Sequence, residues 1–431
     1  MFGGFGVRVI YDISPIGADP SRRAGLARVA ENMAERLYER FGNDVRFSAT
    51  GSLWATLQAE EVLARRTGWR SALNDVGLLP RAVHVAQQTC VEWAKCTSGP
   101  ARYSAQAGNF ALTQVSRLFN VLRRPVDPKA LEWADIFHSS YARIPQQVRQ
   151  QLRGQHLLTV HDLTPLVLGD EYFSSDQIGI TRRIIDSVQP DDWVVTVSES
   201  TKNDLCERRR IDPERVFVVP NAASDELFYP VTDGNRIRAV RKKYGIPEGR
   251  YVLSLHSMAP HKNVPRLIKA FQQFVRQEKP PDTYLVLAGG LGRPLEEISE
   301  ELSLQPADLD RVHFTGFVKD GDLAPLYSGA EAFVFPSLYE GFGLPVLEAM
   351  QCGCPVIASD AASIPEVMDG AGIQVDPRDV TDLARALCDF LGSRATRRAE
   401  AEKGSRQAQR FGWDKRTGQM LSVYDKILEE R

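Results

Sequence analysis

An α/β architecture of two Rossmann-like βα domains is predicted by three features of this sequence. Short β-rich runs alternate with helical stretches along most of the chain, which implies parallel sheets. The alternation comes as two series of similar length, separated by a polar stretch near residues 228–235 that holds Pro230, Asp233 and Gly234. A chain of 431 residues also suits two or three domains of about 100–200 residues each.

The first series begins with "VRVIYDIS" at residues 7–14, which reads as a buried strand. A loop carrying Pro15, Gly17, Pro20 and Gly25 follows, and then "LARVAENMAERLYERF" with apolar residues at helical spacing. Strand, glycine-containing loop and helix is how a doubly wound nucleotide or sugar binder begins. Residues 53–129 read as mostly helical. Within them "VSRLFNVLRR" (115–124) alternates apolar and basic residues. Such a helix can lie on an anionic membrane surface, or pack on the domain with its arginines in solvent, the more ordinary placement. "ADIFHSS", "HLLTVHDLTPL", "WVVTVSES" and "RVFVVPNAA" are the next strands, and His161, Ser198 and Asn221 stand at their C-terminal ends. Ligands gather at that edge of a parallel sheet.

After a basic helix the second series runs "YVLSLHSM", "TYLVLAGG", "VHFTGFV", "AEAFVFPS", "CPVIAS" and "GIQVDP". The tail "FGWDKRTGQMLSVYDKILEER" reads as a final amphipathic helix. The boundaries are therefore 1–232, 233–408 and a final helix at 409–431.

Composition narrows the function. Apolar residues make up 43% and charged residues 25%, as in an ordinary globular protein. A formal net charge of −2 lacks the basic footprint of a nucleic-acid binder. The six cysteines are scattered, fit a reducing compartment and suggest no zinc site. The N-terminus has no signal-peptide pattern, and no stretch approaches the ~18 apolar residues of a spanning helix. A cytoplasmic protein is expected, with at most peripheral contact with the inner face of a membrane. "GGFG" at residues 3–6 precedes the first strand instead of following it, which argues against a dinucleotide oxidoreductase.

The chemistry concentrates in "PSLYEGFGLPVLEAMQCGCPVIAS", residues 336–359. Pro345 suits the first position of a helix and Gly353 its end. "LYEGFG" is then a loop, and the N–H groups of Phe342, Gly343 and Leu344 point out from a helix start that attracts phosphate. Gly341 and Gly343 let the backbone approach an anion. Glu340 ahead of that terminus and Glu348 one turn inside it are better used as hydroxyl acceptors, one for a sugar and one for a ribose. Read alone, the pair fits a plain α/β loop equally well. Lys262, in "LHSMAPHKNVPRLIKAF" after the first strand of this domain, adds a cation able to neutralise a diphosphate leaving group.

These residues resemble the E-x7-E signature of retaining glycosyltransferases of family 4, which have the GT-B fold. "PHKNVPRLIKAF", "TVSESTKNDL", "RVFVVPNAASDELFYP", "VHFTGFV", "ASIPEV" and "FGWDKRTGQMLSVY" fall in the order seen in that family. "GLARVAENMAERL" and "FHSSYARIP…TVHDLTPL" extend the likeness into the first domain, leaving out roughly residues 50–130. The resemblance implies an acceptor domain and a nucleotide-sugar domain facing across a donor cleft, with the last helix returning to the first domain. It implies catalytic roles for Glu340, Lys262 and His161. Phe342, Gly343 and Leu344 would hold the phosphates, Glu348 the ribose, and Gly316, Phe317 and Val318 would lie against the base. Gly25 would sit in a loop closing on the leaving phosphate. No metal and no cofactor beyond the nucleotide-diphosphate sugar is implied.

The sequence departs from the family where many members carry an arginine beside that lysine: His256 and His261 stand there. Either could serve if protonated, and Arg266 is a further candidate partner. "VHDLTPL" and "PHKN" look most like the mannosyltransferases of bacterial surface polysaccharides. GDP-mannose as donor and a glycan or lipid-linked glycan as acceptor follow from that likeness. UDP-glucose or UDP-galactose transfer, a nucleotide-sugar epimerase or synthase, and a non-catalytic sugar-binding scaffold are the alternatives.

Overall fold

The computed structural model describes residues 6–18, 25–255, 257–290, 300 and 305–430. It contains two parallel sheets. The first has seven strands in the order β3-β2-β1-β4-β5-β6-β7. They are β1 Val9–Asp12, β2 Val45–Ser48, β3 Arg70–Ser71, β4 Ile136–Ser139, β5 Gln155–Val160, β6 Trp193–Thr196 and β7 Val216–Val218. The second has six in the order β10-β9-β8-β11-β12-β13. They are β8 Arg250–Leu255, β9 Thr283–Ala288, β10 Val312–Gly316, β11 Ala332–Phe335, β12 Val356–Ser359 and β13 Ile373–Val375.

Central strands such as "VIYD", "IFHS" and "WVVT" are buried at every position. Helices cover both faces, so such strands read as continuous apolar runs and not as alternation. The period of two still sorts the side chains. Val9 and Tyr11 enter one core cluster of the first domain, Ile10 the other. In the second domain Phe333 and Phe335 face one cluster and Val334 the other.

Three details differ from the sequence expectation. Residues Ser14–Ala18 form a short helix inside the expected loop, because the Asp12 carboxylate accepts the Ser14 N–H and starts the turn. β2 and β3 join the first sheet where no strand was expected. In "VRFS" Arg46 interrupts the apolar run, and β3 is the polar pair "RS". The two added strands make the strand before His161 the fifth of the sheet. Residues 53–129 are mostly helical as expected, chiefly in three helices, Leu53–Arg65, Leu78–Cys96 and Gly99–Leu122, with β3 between the first two. In the last of these Arg117 is exposed, whereas Arg123 turns inward to the Thr50 carbonyl at 2.8 Å and to Thr56. All six cysteines are free.

The helix Trp413–Glu429 packs on the first domain. Trp413, Met420, Tyr424 and Ile427 join its cluster beside Val9, Tyr11 and Met33. Fully burying one large apolar side chain is worth about 1.5–3 kcal/mol, so four of them hold the helix firmly. The Tyr424 hydroxyl pairs with His138 Nδ1 at 2.8 Å, and Arg416 donates to the Val219 and Pro220 carbonyls.

Candidate active site

Strand order reverses between β1 and β4 in the first sheet and between β8 and β11 in the second. A doubly wound sheet opens a crevice at the C-terminal end of that switch point. Lys262 follows β8 and Glu340 follows β11, so both stand at the second domain's crevice. Ser140 follows β4 and His161 follows β5, at the crevice of the first.

Lys262 lies on a single tight turn, Pro260–Lys262. The turn is locked by Asn263, whose left-handed backbone (φ 62°) aims its buried amide at the Pro336 and Pro377 carbonyls, 3.0 and 2.5 Å away. Lys262 Nζ then meets Glu340 Oε1 at 2.6 Å and sits over the Phe335 ring. Ser337 Oγ donates to the same Glu340 oxygen at 2.6 Å. The Glu340 carbonyl is held by the Ser363 hydroxyl at 2.8 Å.

Beyond Glu340 the loop crosses to the first domain. The Gly341 carbonyl accepts from Ser198 Oγ at 2.7 Å and Thr201 Oγ1 at 3.2 Å. A Cβ on Gly341 would lie 2.0 Å from the His161 carbonyl oxygen, so only glycine permits this approach. Gly343 caps the helix Leu344–Gln351 with φ 97°, a left-handed geometry that favours glycine. Pro345 stands in the first turn, and the leading N–H groups have no partner inside the helix. Phe342 is buried with its ring edge-on to Phe411. Gly25 opens the helix Gly25–Phe41 and does not lie in the expected loop. A Cβ there would come within 3.0 Å of Leu344, which places Gly25 against the start of the helix Leu344–Gln351.

His161 Nε2–H donates to the Ser140 carbonyl at 2.8 Å, leaving Nδ1 as an acceptor. Desolvation lowers its pKa to about 4, so the ring is neutral at pH 7. A cavity of about 330 Å³ joins His161, Lys262 and Glu340, walled by Tyr141, Phe173 and Ile180. His261 also faces this cavity, stacked on Phe173 with centroids 5.1 Å apart. Burial and the neighbouring Lys262 lower its pKa to about 4, so it carries no charge at pH 7 to stand in for an arginine. Arg266 is committed to Asn263 Oδ1 at 2.8 Å. His256 lies outside the described residues.

Glu348 is sealed. Arg28 from the first domain pairs with its Oε1 at 2.7 Å, and the Tyr327 hydroxyl donates to Oε2 at 3.1 Å. Burial raises the carboxyl above its usual range, opposed by Arg28 and Tyr327. The space left between Gly25, Arg28, Leu344 and Glu348 is about 20 Å³. Arg28 also approaches Asp320 at 3.8 Å. Just before Asp320 come Gly316 (φ 67°), the exposed Phe317 and the buried Val318.

The sequence reading missed Arg28, Tyr327 and the Ser198/Thr201 clasp. Arg28 had a signal: it lies three residues beyond Gly25 on the same helix, and so on the same face as that glycine. Tyr327 had none, since its contact depends on how two helices pack. Among the described residues no group of three or more His, Cys, Asp or Glu side chains could hold a metal ion.

Residues 23–227 match the model of Glycosyltransferase Family 4, and residues 236–407 that of Glycosyl transferases group 1. The O-antigen chain mannosyltransferase B of Escherichia coli is 28% identical over 71% of this chain and 79% of its own length. The serotype-specific mannosyltransferase WbdA of Escherichia coli is 30% identical over 62% of this chain, which spans only 33% of that longer protein. Among solved structures, sucrose-phosphate synthase of Thermosynechococcus elongatus shares the fold, with a TM-score of 0.63 at 22% identity over 98% of this chain and 100% of that one. Two matched models in tandem, two facing parallel sheets and a returning C-terminal helix leave one assignment: the chain is a GT-B protein of glycosyltransferase family 4.

Proposed function

We propose that this protein transfers a hexose from a nucleotide-diphosphate sugar to a hydroxyl of a glycan, with retention of anomeric configuration, during surface-polysaccharide assembly. The observation that carries the reading is a cavity joining Lys262, Glu340 and His161, with a helix starting four residues beyond Glu340. The donor's diphosphate fits the terminus and Lys262, which stabilise the charge developing on the leaving group. Glu340 and the neutral His161 face the sugar. Glu340 takes hydroxyls and supports positive charge at the anomeric carbon. The glycosidic bond to the diphosphate breaks as the acceptor oxygen bonds the same face of that carbon, and the acceptor proton passes to the departing diphosphate. Lysine and helix dipole supply the positive charge, so neither metal nor cofactor is required.

Mannose from GDP-mannose is the favoured donor, on the strength of two mannosyltransferase relatives. The acceptor is a glycan or a lipid-linked glycan, and a lipid-linked one would be met at the inner face of a membrane. Thermal shift with GDP-mannose, UDP-glucose and UDP-galactose ranks the donors, because a native-state ligand raises the melting point by mass action. Transfer assays with Lys262→Ala and Glu340→Ala test the site. Undiminished transfer in both variants refutes the proposal, and magnetic resonance of the product's anomeric centre tests retention. Activity lost in chelator would remove the metal-free reading.

A further inference from the structure

The helices Leu78–Cys96 and Gly99–Leu122 form an antiparallel hairpin held by polar contacts. Gln87 bonds Thr113 and Ser116 across it, and Gly108 passes close to Cys90. The first helix contains no buried residue. Eight of the twelve large apolar side chains exposed among the described residues lie on this hairpin, each 40–88% exposed. They are not scattered. Leu78, Val85 and Trp93 repeat at intervals of seven and eight, which puts them on one face of their helix. Tyr103, Phe110 and Leu118 do the same on the second. A soluble domain rarely leaves two such stripes open without a use.

Charge identifies what covers them. Residues 78–124 hold six basic residues and a single acidic one, Glu92, for a formal net charge of +5 in a chain whose total is −2. Lys95, Arg102 and Arg117 are exposed and have no acidic partner among the described residues. Aromatic and leucine stripes flanked by lysine and arginine are the composition of a helix that lies in the plane of an anionic bilayer surface. No described helix is long and apolar enough to cross a membrane, so the fit is to lying on the surface and not to spanning it.

We propose that this hairpin is the membrane-docking surface of the protein, seating Trp93, Phe110 and Leu118 among lipid headgroups of negative charge. The proposal rests on the lipid-linked acceptor reading for its purpose, but its physical basis is the hairpin alone. Docking there would bring the acceptor domain next to the lipid.

Co-sedimentation of the full chain with vesicles tests it, using phosphatidylcholine alone or mixed with phosphatidylglycerol. Wild type should pellet with the anionic vesicles, stay in solution with the neutral ones, and be released by salt. The variants Trp93→Ser/Phe110→Ser and Lys95→Glu/Arg102→Glu/Arg117→Glu should each bind anionic vesicles at least tenfold more weakly. All five positions are exposed, so both variants should keep the wild-type melting point and donor cleavage. Lys262→Ala should lose transfer yet still pellet, which separates failure of this proposal from failure of the catalytic assignment. The proposal is overturned if wild type ignores anionic vesicles, or if both variants bind like wild type. It is equally overturned if the stripes hold a dimer that Trp93→Ser/Phe110→Ser dissolves in the absence of lipid.

Discussion

Gly341→Ala probes the closure of the two domains with one methyl group. Gly341 is not among the positive-φ glycines, so alanine suits its own backbone. The obstacle lies in the other domain: the new Cβ would sit 2.0 Å from the His161 carbonyl oxygen and 2.6 Å from Asp162 Cβ. Ordinary contact begins at about 3.4 Å, so the loop must withdraw by more than 1 Å. That withdrawal breaks the bonds from Ser198 and Thr201 to the Gly341 carbonyl. At about 0.5–1.5 kcal/mol each, their loss weighs about 1–3 kcal/mol against the closed arrangement, or roughly 5–150-fold in its population. We expect kcat/KM to fall by a factor in that range, and small-angle scattering to report a larger radius of gyration. The thermal midpoint should stay within a few degrees, because neither domain's core contains the contact. Wild-type kcat/KM with unchanged scattering would refute the reasoning. A collapse of the thermal midpoint would refute it too, by moving the contact's role to folding.

Glu340→Gln should lower kcat with little change in donor affinity, and Glu348→Gln should mainly raise the donor KM; steady-state kinetics with both variants shows whether the two split this way. Arg28→Met should lower the donor Kd about tenfold, because the donor no longer has to break a charged hydrogen bond to reach Glu348. A raised Kd in calorimetry would instead make Arg28 a contact for the donor. Stability should fall as the solution is acidified from pH 6.5 toward 4. His138, His161 and His261 have pKa values lowered to about 3, 4 and 4, chiefly by burial. The unfolded chain therefore binds more protons in that window, and stability rises with pH across it. Urea midpoints at pH 7 and pH 5 measure the loss, and His138→Gln should flatten it.

The sequence was most legible where local chemistry and tertiary role agree. "LYEGFG" followed by proline announces a loop and a helix start, and the helix begins at Leu344. The glycine at 343 is required by its own φ, which a turn reading can anticipate. Gly341 is different: its reason is a carbonyl of the other domain, 180 residues away in the chain, and no local pattern carries that. Helical spacing could place Arg28 beside Gly25, but its partner Glu348 lies 320 residues away in the chain and no local pattern names it. The strand β2 escaped because Arg46 interrupts its apolar run, and β3 because it is two exposed polar residues. The hairpin's helices were legible from spacing, but which of their faces stays open depends on a neighbour the sequence does not name. Apolar residues at helical spacing look the same whether they meet a core or a lipid surface.

On the proposed mechanism, closure and chemistry are joined by one peptide. Glu340 and Gly341 are adjacent, and the Gly341 carbonyl is gripped by Ser198 and Thr201. Nearby, the Glu366 carboxylate accepts the Glu199 and Ser200 N–H groups at 2.8 Å each, and the Tyr339 hydroxyl donates to Asp204. All these first-domain groups lie at or near the start of one helix, Glu199–Arg208. When the domains part, Glu340 loses its register against His161 at the same moment as the cavity opens to water. An oxocarbenium-like centre exposed in an open cleft would be captured by water, giving hydrolysis of the donor. In the arrangement observed, Glu340 and His161 line one cavity, and a closure that excludes water would keep them facing each other. The ratio of transfer to donor hydrolysis is thus a measure of closure. It should fall in Ser198→Ala/Thr201→Val, which leaves every group in the catalytic cavity intact.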